Sequence, residues 1–388
     1  MSTQQTTAWG PLDLTPKTDP RNISVKQTLE LPDEYDAMKV LDNRYAILKG
    51  DTSPVNVCCV DLTDGRIIWQ HKFEGSNFAN AMCIDGTLYA TIEEGHAKFH
   101  TVAIDILSGE IRWKTFIAKS YDTIPNGSGY AFADGLLYYF AGTGLLFAMA
   151  TTDGSVKFKV KTDNSDPWVT PVLWRDRVIV QTTSRKKSSL VHYDSQTGAL
   201  LETVALGRGI NLGGQGQTDD PLLLGDELWY VADDNKLHCF DLTMGKEKNA
   251  WVLPLKITNK TQNDYISASL VFNDGGFDIR ADVPVIARDQ IDVRFNPSTG
   301  VFTANSPMLD DKDFFCEKEG LRYYHDYNMR DQFLFYIQDK ATGELVHSFG
   351  LPGVTEYDFT PVKVLCGGTM VILHPDYDNS KFILHLAY

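Results

Sequence analysis

Seven copies of one short pattern, spaced almost evenly through 388 residues, leave this chain few ways to fold. In each copy an apolar segment ends in Asp or Asn, a few residues follow, then a Gly, then a second apolar segment. The clearest are Val60-Asp61-Leu-Thr-Asp-Gly65-Arg-Ile-Ile-Trp69 and Ala103-Ile-Asp105-Ile-Leu-Ser-Gly109-Glu-Ile-Arg-Trp113. A looser copy holds Asp153-Gly154, and four more run Asp194 to Gly198, Asp241 to Gly245, Asn296 to Gly300 and Asp339 to Gly343. The glycines at 65, 109, 154, 198, 245, 300 and 343 are separated by 44, 45, 44, 47, 55 and 43 residues. A period of roughly 46 residues is the mark of a repeat array in which each copy is one small structural unit.

The chemistry of the copy is that of a hairpin. Asp or Asn caps a turn with its own side chain, and Gly supplies a position with positive φ. These Asp residues are therefore expected to be structural. The flanking segments alternate as strands do, as in Leu237-His-Cys-Phe240 and Val156-Lys-Phe-Lys-Val160. A second turn precedes each motif, at Asp42-Asn43, Asp85-Gly86, Asp134-Gly135, Asp176-Arg177 and Gly225-Asp226. Each period thus holds two hairpins, or four antiparallel strands, and four-stranded units repeated about an axis make a β-propeller.

After the seventh motif come Cys366 to His374 and Lys381 to Tyr388, which give an eighth unit three strands and no fourth. The passage Leu31-Pro32 to Leu41 parallels Leu351-Pro352 to Leu365, so Ile23 to Leu31 is expected to be the missing outer strand. The expected fold is an all-β, eight-bladed β-propeller closed by its N-terminal strand, with seven blades as the alternative. Residues 1–22 would form an N-terminal extension and 23–388 a single propeller domain. Closure leaves no open sheet edge, so a monomer is expected for the free protein. Blade six, Ile257 to Phe302, is longer than its peers.

The net charge of −15 argues against nucleic acid or an anionic membrane as a partner and favours a basic one. Met1 to Gly10 has no basic start followed by an apolar stretch, no run of 18 apolar residues occurs, and six cysteines make no disulfide framework. The expected location is cytoplasmic.

The copies Val60 to Trp69 and Ala103 to Trp113 resemble the Ala-x-Asp-x-x-(Thr/Ser)-Gly-x-x-x-Trp motif of the quinoprotein alcohol dehydrogenase-like propellers, the PQQ-like repeat. The resemblance implies an eight-bladed fold and a Trp that docks between neighbouring blades. Phe158, Leu201, Phe302 and Val346 stand where other blades would place that Trp. Dehydrogenases of this kind carry pyrroloquinoline quinone and Ca²⁺ and place a vicinal disulfide over the quinone. Cys58-Cys59 is an adjacent pair, but it lies within the strand Asn56 to Val60, where neighbours face opposite ways. One thiol is then expected to pack inward and the other to lie between blades. No Ca²⁺-binding constellation is evident, and no cofactor, metal or catalytic residue is expected.

Other features carry less. His96 and His100 lack a third metal ligand. The Gly-rich run 207–217 has neither a following helix nor a P-loop Lys-Ser/Thr. Arg185 to Lys187 reads as a solvated turn, and no Gly-x-Ser-x-Gly nucleophile motif occurs.

The acidic residues have a pattern. Those in tight turns recur with the repeat and are explained by capping. Those in the loops of the opposite face do not recur. They include Glu93, Glu94, Asp219, Asp220, Asp233, Asp234, Asp310, Asp311, Asp313, Asp376 and Asp378, with Tyr121, Trp168, Tyr265, Tyr327 and Tyr377 as aromatic anchors nearby. This face is expected to be an acidic docking surface for a basic protein. Signal-less bacterial propellers of this type resemble immunity proteins, so the narrowest reading is capture of a cognate toxin, such as a type VI secretion nuclease effector whose cationic cleft an acidic surface would block. A general protein-interaction scaffold is the alternative, and a quinone-dependent dehydrogenase a further one.

Overall fold

The computed structural model describes residues 22–31, 33, 35, 37–50, 53–75, 77–95, 98–119, 129–141, 144–162, 170–184, 187–207, 221–232, 234–255, 267–282, 291–305, 309, 312–326, 332–352, 362–364, 369–376 and 381–387. All eight sheets have four antiparallel strands, and the fold is an eight-bladed β-propeller. Seven blades take their strands in chain order, over residues 37–73, 78–119, 131–161, 172–207, 222–252, 267–304 and 313–352. The eighth takes Val362–Val364, Met370–Asp376 and Lys381–Ala387, and its outermost strand is Val25–Leu31. That strand pairs antiparallel with Lys381–Ala387, setting Thr28 opposite His385 and Leu31 opposite Phe382. Eight blades and N-terminal closure are therefore what the chain adopts. Residues 1–21 of the expected extension lie outside the described residues, as do 256–266 and 283–290 of the long sixth blade.

The turns follow the expected chemistry. All seven motif glycines have positive φ, from +61° at Gly245 to +75° at Gly343. Asp61 Oδ1 accepts from the Thr63 amide at 3.0 Å, Asp105 Oδ1 from Ser108 at 2.9 Å, Asp194 Oδ1 from Thr197 at 2.7 Å and Asp339 Oδ1 from Thr342 at 2.8 Å. The glycine amide donates back to the carbonyl of the same Asp, at 2.8 Å for Gly65 and Gly109. In the preceding hairpins Asp42-Asn43, Asp85-Gly86 and Asp134-Gly135 have positive φ at both central residues, as do Asp274-Gly275 and Glu319-Gly320. Blade four departs from expectation by one residue. Its turn is Arg175-Asp176 rather than Asp176-Arg177, with Arg175 at φ +57°. An arginine incurs a steric cost there. Its guanidinium lies 4.5 Å from the Trp174 ring centroid and binds Asp226 at 2.9 Å, which offsets that cost.

By their contacts the blades fall into two compact units. One holds blades three to six. The other holds blades one, seven and eight, and blade two is divided between the units. Within the first, apolar layers fill the spaces between successive blades, as where Tyr138 and Phe158 meet Val178 and Tyr193. The layer between blades five and six is aromatic, built on Trp229, Phe277 and Phe295. Within the second, Leu48 and Cys58 meet Val371 and Leu384, and Ile47 and Cys59 meet Leu88 and Val102. Burial on both faces erases alternation in the middle strands. Thr87–Glu93 is buried throughout, and so is every residue of Leu237-His-Cys-Phe240, a segment expected to alternate. Alternation survives on outer strands such as Val25–Leu31.

The motif glycines also serve as seats. The indole of Trp69 lies on Gly109, and Trp69 Nε1 donates to Ile106 O at 2.9 Å. Trp113 repeats this on Gly154, donating to Thr151 O at 2.9 Å. Phe158 covers Gly198 without a polar bond, and Glu202 with Val204 approaches Gly245. The register fixes the docking position. Trp69 pairs with Cys59, Phe158 with Ala148, Glu202 with His192 and His347 with Ile337, each partner lying two residues before the motif's first turn position. Leu201 and Val346 are therefore not docking residues. Leu201 is 46% exposed, and Glu202 and His347 hold those positions instead. Phe302 packs on Phe295 of its own blade, 4.8 Å between ring centroids. At the closure the same positions are polar. Gln27 covers Gly65 and donates to Asp64 O at 2.7 Å, while His347 Nε2 donates to Ile23 O at 2.9 Å.

Candidate partner-binding surface

Most of the carboxylates expected on the acidic face, Asp219, Asp220, Asp233, Asp310, Asp311 and Asp378, lie outside the described residues, as do the five aromatic anchors. Asp313 begins the strand Asp313–Lys318 and Asp376 ends Met370–Asp376. Glu93 does not present its charge to solvent. It ends a fully buried strand, is 2% exposed, and accepts from Asn77 Nδ2 at 2.8 Å. Glu94 beside it is half-buried.

Asp234 is committed to a local network. Its Oδ2 accepts from Lys236 Nζ at 2.9 Å and its Oδ1 lies 2.9 Å from His238 Nε2. The other ring nitrogen of His238 lies 2.7 Å from Glu247 Oε2, and Tyr230 stacks on the imidazole at 4.9 Å. Burial alone would lower the His238 pKa, but the two carboxylates outweigh it and raise it. Burial likewise opposes ionisation of Asp234, and the hydrogen bonds from His238 and Lys236 overcome it, bringing the carboxyl to about 2. The cluster is a carboxylate–imidazole–carboxylate chain that pins the strand Lys236–Asp241, and sequence reasoning missed it because His238 reads there as an ordinary strand residue.

The turn carboxylates are likewise occupied. Hydrogen bonds led by those from Ser108, Thr197 and Thr342 hold Asp105, Asp194 and Asp339 below the usual carboxylate range. Arg44 binds Asp61 at 2.9 Å, and Arg112 pairs with Asp105. Capping accounts for these residues, as their recurrence implied.

The cysteine pair does not fit a disulfide lying over a quinone. Cys58 and Cys59 are free, buried thiols on opposite faces of the strand Val55–Asp61. Each face is covered by a neighbouring blade, so both thiols lie between blades, and the expectation of one pointing inward is corrected. Burial raises both pKa values, to about 12 for Cys58. Among the described residues no group of three or more His, Cys, Asp and Glu is placed to hold a metal ion. His96 lies outside the described residues, and the His100 ring packs edge-on against Phe116 at 5.5 Å. The run 208–217 and Arg185-Lys186 also lie outside them. Among the described residues no helix is long and apolar enough to cross a membrane.

Residues 97–275, just under half the chain, match the family described as outer membrane protein assembly factor BamB. The structure of BamB from Moraxella catarrhalis superimposes with a TM-score of 0.57 at 14% identity, covering 94% of this chain and 99% of that one. The quinohemoprotein alcohol dehydrogenase ADHIIG from Pseudomonas putida HK5 gives 0.56 at 11% identity, covering 97% of this chain and 78% of that one. The quinohemoprotein alcohol dehydrogenase from Comamonas testosteroni gives 0.56 at 11%, with 98% and 78% covered. No curated protein matches the chain in sequence. These likenesses identify a PQQ-like β-propeller fold, one shared by an assembly factor and by enzymes. Fold does not fix activity.

Proposed function

We propose that this chain is a non-enzymatic protein-interaction scaffold whose acidic loops hold a basic partner protein. The observation that carries the reading is the distribution of a net charge of −15. The described turn carboxylates Asp61, Asp105, Asp194, Asp226 and Asp339 are absorbed by capping and by arginines. Carboxylates that no repeat position calls for, such as Asp219-Asp220 and Asp310-Asp311, add charge that no turn needs. Like charges placed side by side cost stability in the free protein, and a cationic partner relieves that cost. The partial match to a family of assembly factors supports a scaffold in the same direction. The narrower form of the proposal is an immunity protein in the cytoplasm that neutralises a cognate nuclease toxin by occupying its phosphate-binding cleft.

The test is affinity capture of the tagged protein from its native cells, washed at low and then moderate salt, with retained proteins identified by mass spectrometry. A single stoichiometric basic protein, lost when Asp219, Asp220, Asp310 and Asp311 are changed to Asn, supports the reading. If that protein arrests growth when produced alone and not when this chain is co-produced, the immunity form stands. Retention of no protein, or retention indifferent to the four substitutions, overturns it.

A further inference from the structure

Two histidines meet where the ring is closed. His374 on the strand Met370–Asp376 and His385 on Lys381–Ala387 have their Nε2 atoms 2.9 Å apart and their rings 12° from parallel. The Nδ1 of His385 lies 2.9 Å from Thr28 Oγ1 on the outer strand Val25–Leu31. One hydrogen-bonded chain, from His374 through His385 to Thr28, thus crosses three of the four strands of blade eight, and its second link joins the first strand of the fold to the last. His374 is buried and His385 half-buried. A neutral His385 serves both links, donating through one ring nitrogen and accepting through the other. One added proton can be shared between the two rings. With both rings charged, an N–H from each points into the same 2.9 Å gap, and attraction becomes repulsion. This face of blade eight packs on blade seven, whose titratable side chains there are Cys316, Tyr323, His325 and His347, with no carboxylate among the described ones. The outer strand adds Glu30, opposite Ile383 in register, and Lys26 at its bulge, both exposed.

We propose that the histidine pair is a proton-operated latch on the ring: in acid the strands Val25–Leu31 and Lys381–Ala387 come away from Met370–Asp376 together, while the other blades stay folded. The sheet makes these two strands the place to open. Val25–Leu31 pairs with Lys381–Ala387 alone, so it leaves with it. The contacts that tie the closure to its neighbours are the polar ones of Gln27 with Asp64 and of His347 with Ile23, where blades one and two are joined by an indole. Burial and repulsion from His374 bring the His385 pKa down to about 4 from the ordinary 6.5. The closed latch therefore binds that proton more weakly than the open one. Closure is fully favoured above about 6.5 and loses ground as pH falls toward 4. Glu30 would draw the proton in and does not reverse the direction. Local opening at a free energy below that of global unfolding is the usual behaviour of a sheet edge held by few contacts.

Amide hydrogen exchange of the full chain, read by mass spectrometry and corrected for the intrinsic effect of pH on exchange, tests the latch. Between pH 7 and pH 5 the protection of Val25–Leu31 and Lys381–Ala387 should fall at least about tenfold, after allowance for the partial exposure of His385. Protection of a middle strand such as Leu136–Ala141 should hold over the same range. His385→Gln keeps a donor and an acceptor for both links but does not titrate, and it should abolish the fall. His374→Gln removes the opposing charge and should shrink the fall, which decides the matter if the first variant does not fold. Three results overturn the proposal: no loss of protection in the two strands, an equal loss in every blade, or a loss unchanged in a folded His385→Gln or His374→Gln protein.

Discussion

Gly109 offers a way to separate the two roles of a motif glycine. It sits at φ +74°, and a Cβ added there would lie 2.6 Å from Trp69 Cγ. Gly275 sits at φ +73° with nothing within 4 Å of the same added atom. An alanine at either position meets the same backbone penalty, about 1–2 kcal/mol for a left-handed conformation. Only Gly109→Ala also drives a methyl into a packed indole, and overpacking of this kind costs a further ~1–3 kcal/mol. The expected loss is thus roughly 2–5 kcal/mol for Gly109→Ala against 1–2 for Gly275→Ala. Denaturant unfolding, followed by tryptophan fluorescence and by circular dichroism, gives both values. Trp69→Gly supplies the internal control, because the added methyl would meet Trp69 Cβ at 2.7 Å as well as the ring. In that background the indole is gone, and Gly109→Ala should fall to the cost of Gly275→Ala. Equal losses for the two alanines in the unmodified protein, or no coupling between positions 69 and 109, would refute the seat argument.

Trp69→Phe keeps the ring and removes the hydrogen bond to Ile106 O, so unfolding free energy should drop by about 1 kcal/mol, read by the same denaturant titration. The pH dependence has two histidine components. His385, brought to about 4 by burial and by His374, takes up its proton more readily unfolded, so stability is full above about 6.5 and is lost as pH falls toward 4. The shift is worth on the order of 1–2 kcal/mol after allowance for its partial exposure, and His385→Gln should flatten that limb of a thermal-midpoint profile. His238 acts oppositely. Its raised pKa contributes stability that is present below about 6.5 and lost as pH rises through the folded value, and His238→Gln should remove that limb. Deleting residues 1–31 strips the outer strand from blade eight and exposes the edge of Lys381–Ala387, so size-exclusion chromatography should show association or aggregation.

The turns, the strand count and the closure were legible because each rests on local chemistry. An Asp that caps its own turn and a Gly at positive φ are readable from five residues, and the repeat multiplies the signal. The blade-four turn slipped by one because Arg175 is not a residue that advertises positive φ, and its stabilising contacts with Trp174 and Asp226 are not visible as a local pattern. Docking residues were legible only where they are aromatic, at Trp69, Trp113 and Phe158. Gln27, Glu202 and His347 do the same work with polar groups, and only the strand register reveals them. The acidic loops were legible as charge. The fate of individual members was not, since the burial of Glu93 and the pairing of Asp234 depend on Asn77 and His238.

The strand Val25–Leu31 is made first and needed last. Thr28 Oγ1 meets His385 Nδ1 at 2.9 Å across 357 positions of sequence, and the same segment is gripped from blade seven at Ile23 and from blade one at Gln27. During synthesis this strand emerges before any of its partners in blade eight and waits for almost the whole chain. The earlier blades can order themselves as they appear, but the final sheet forms only after the strand Lys381–Ala387 leaves the ribosome. Completion of the ring therefore waits for the last of its strands, and one sheet edge stays unsealed until Lys381–Ala387 can pair with Val25–Leu31.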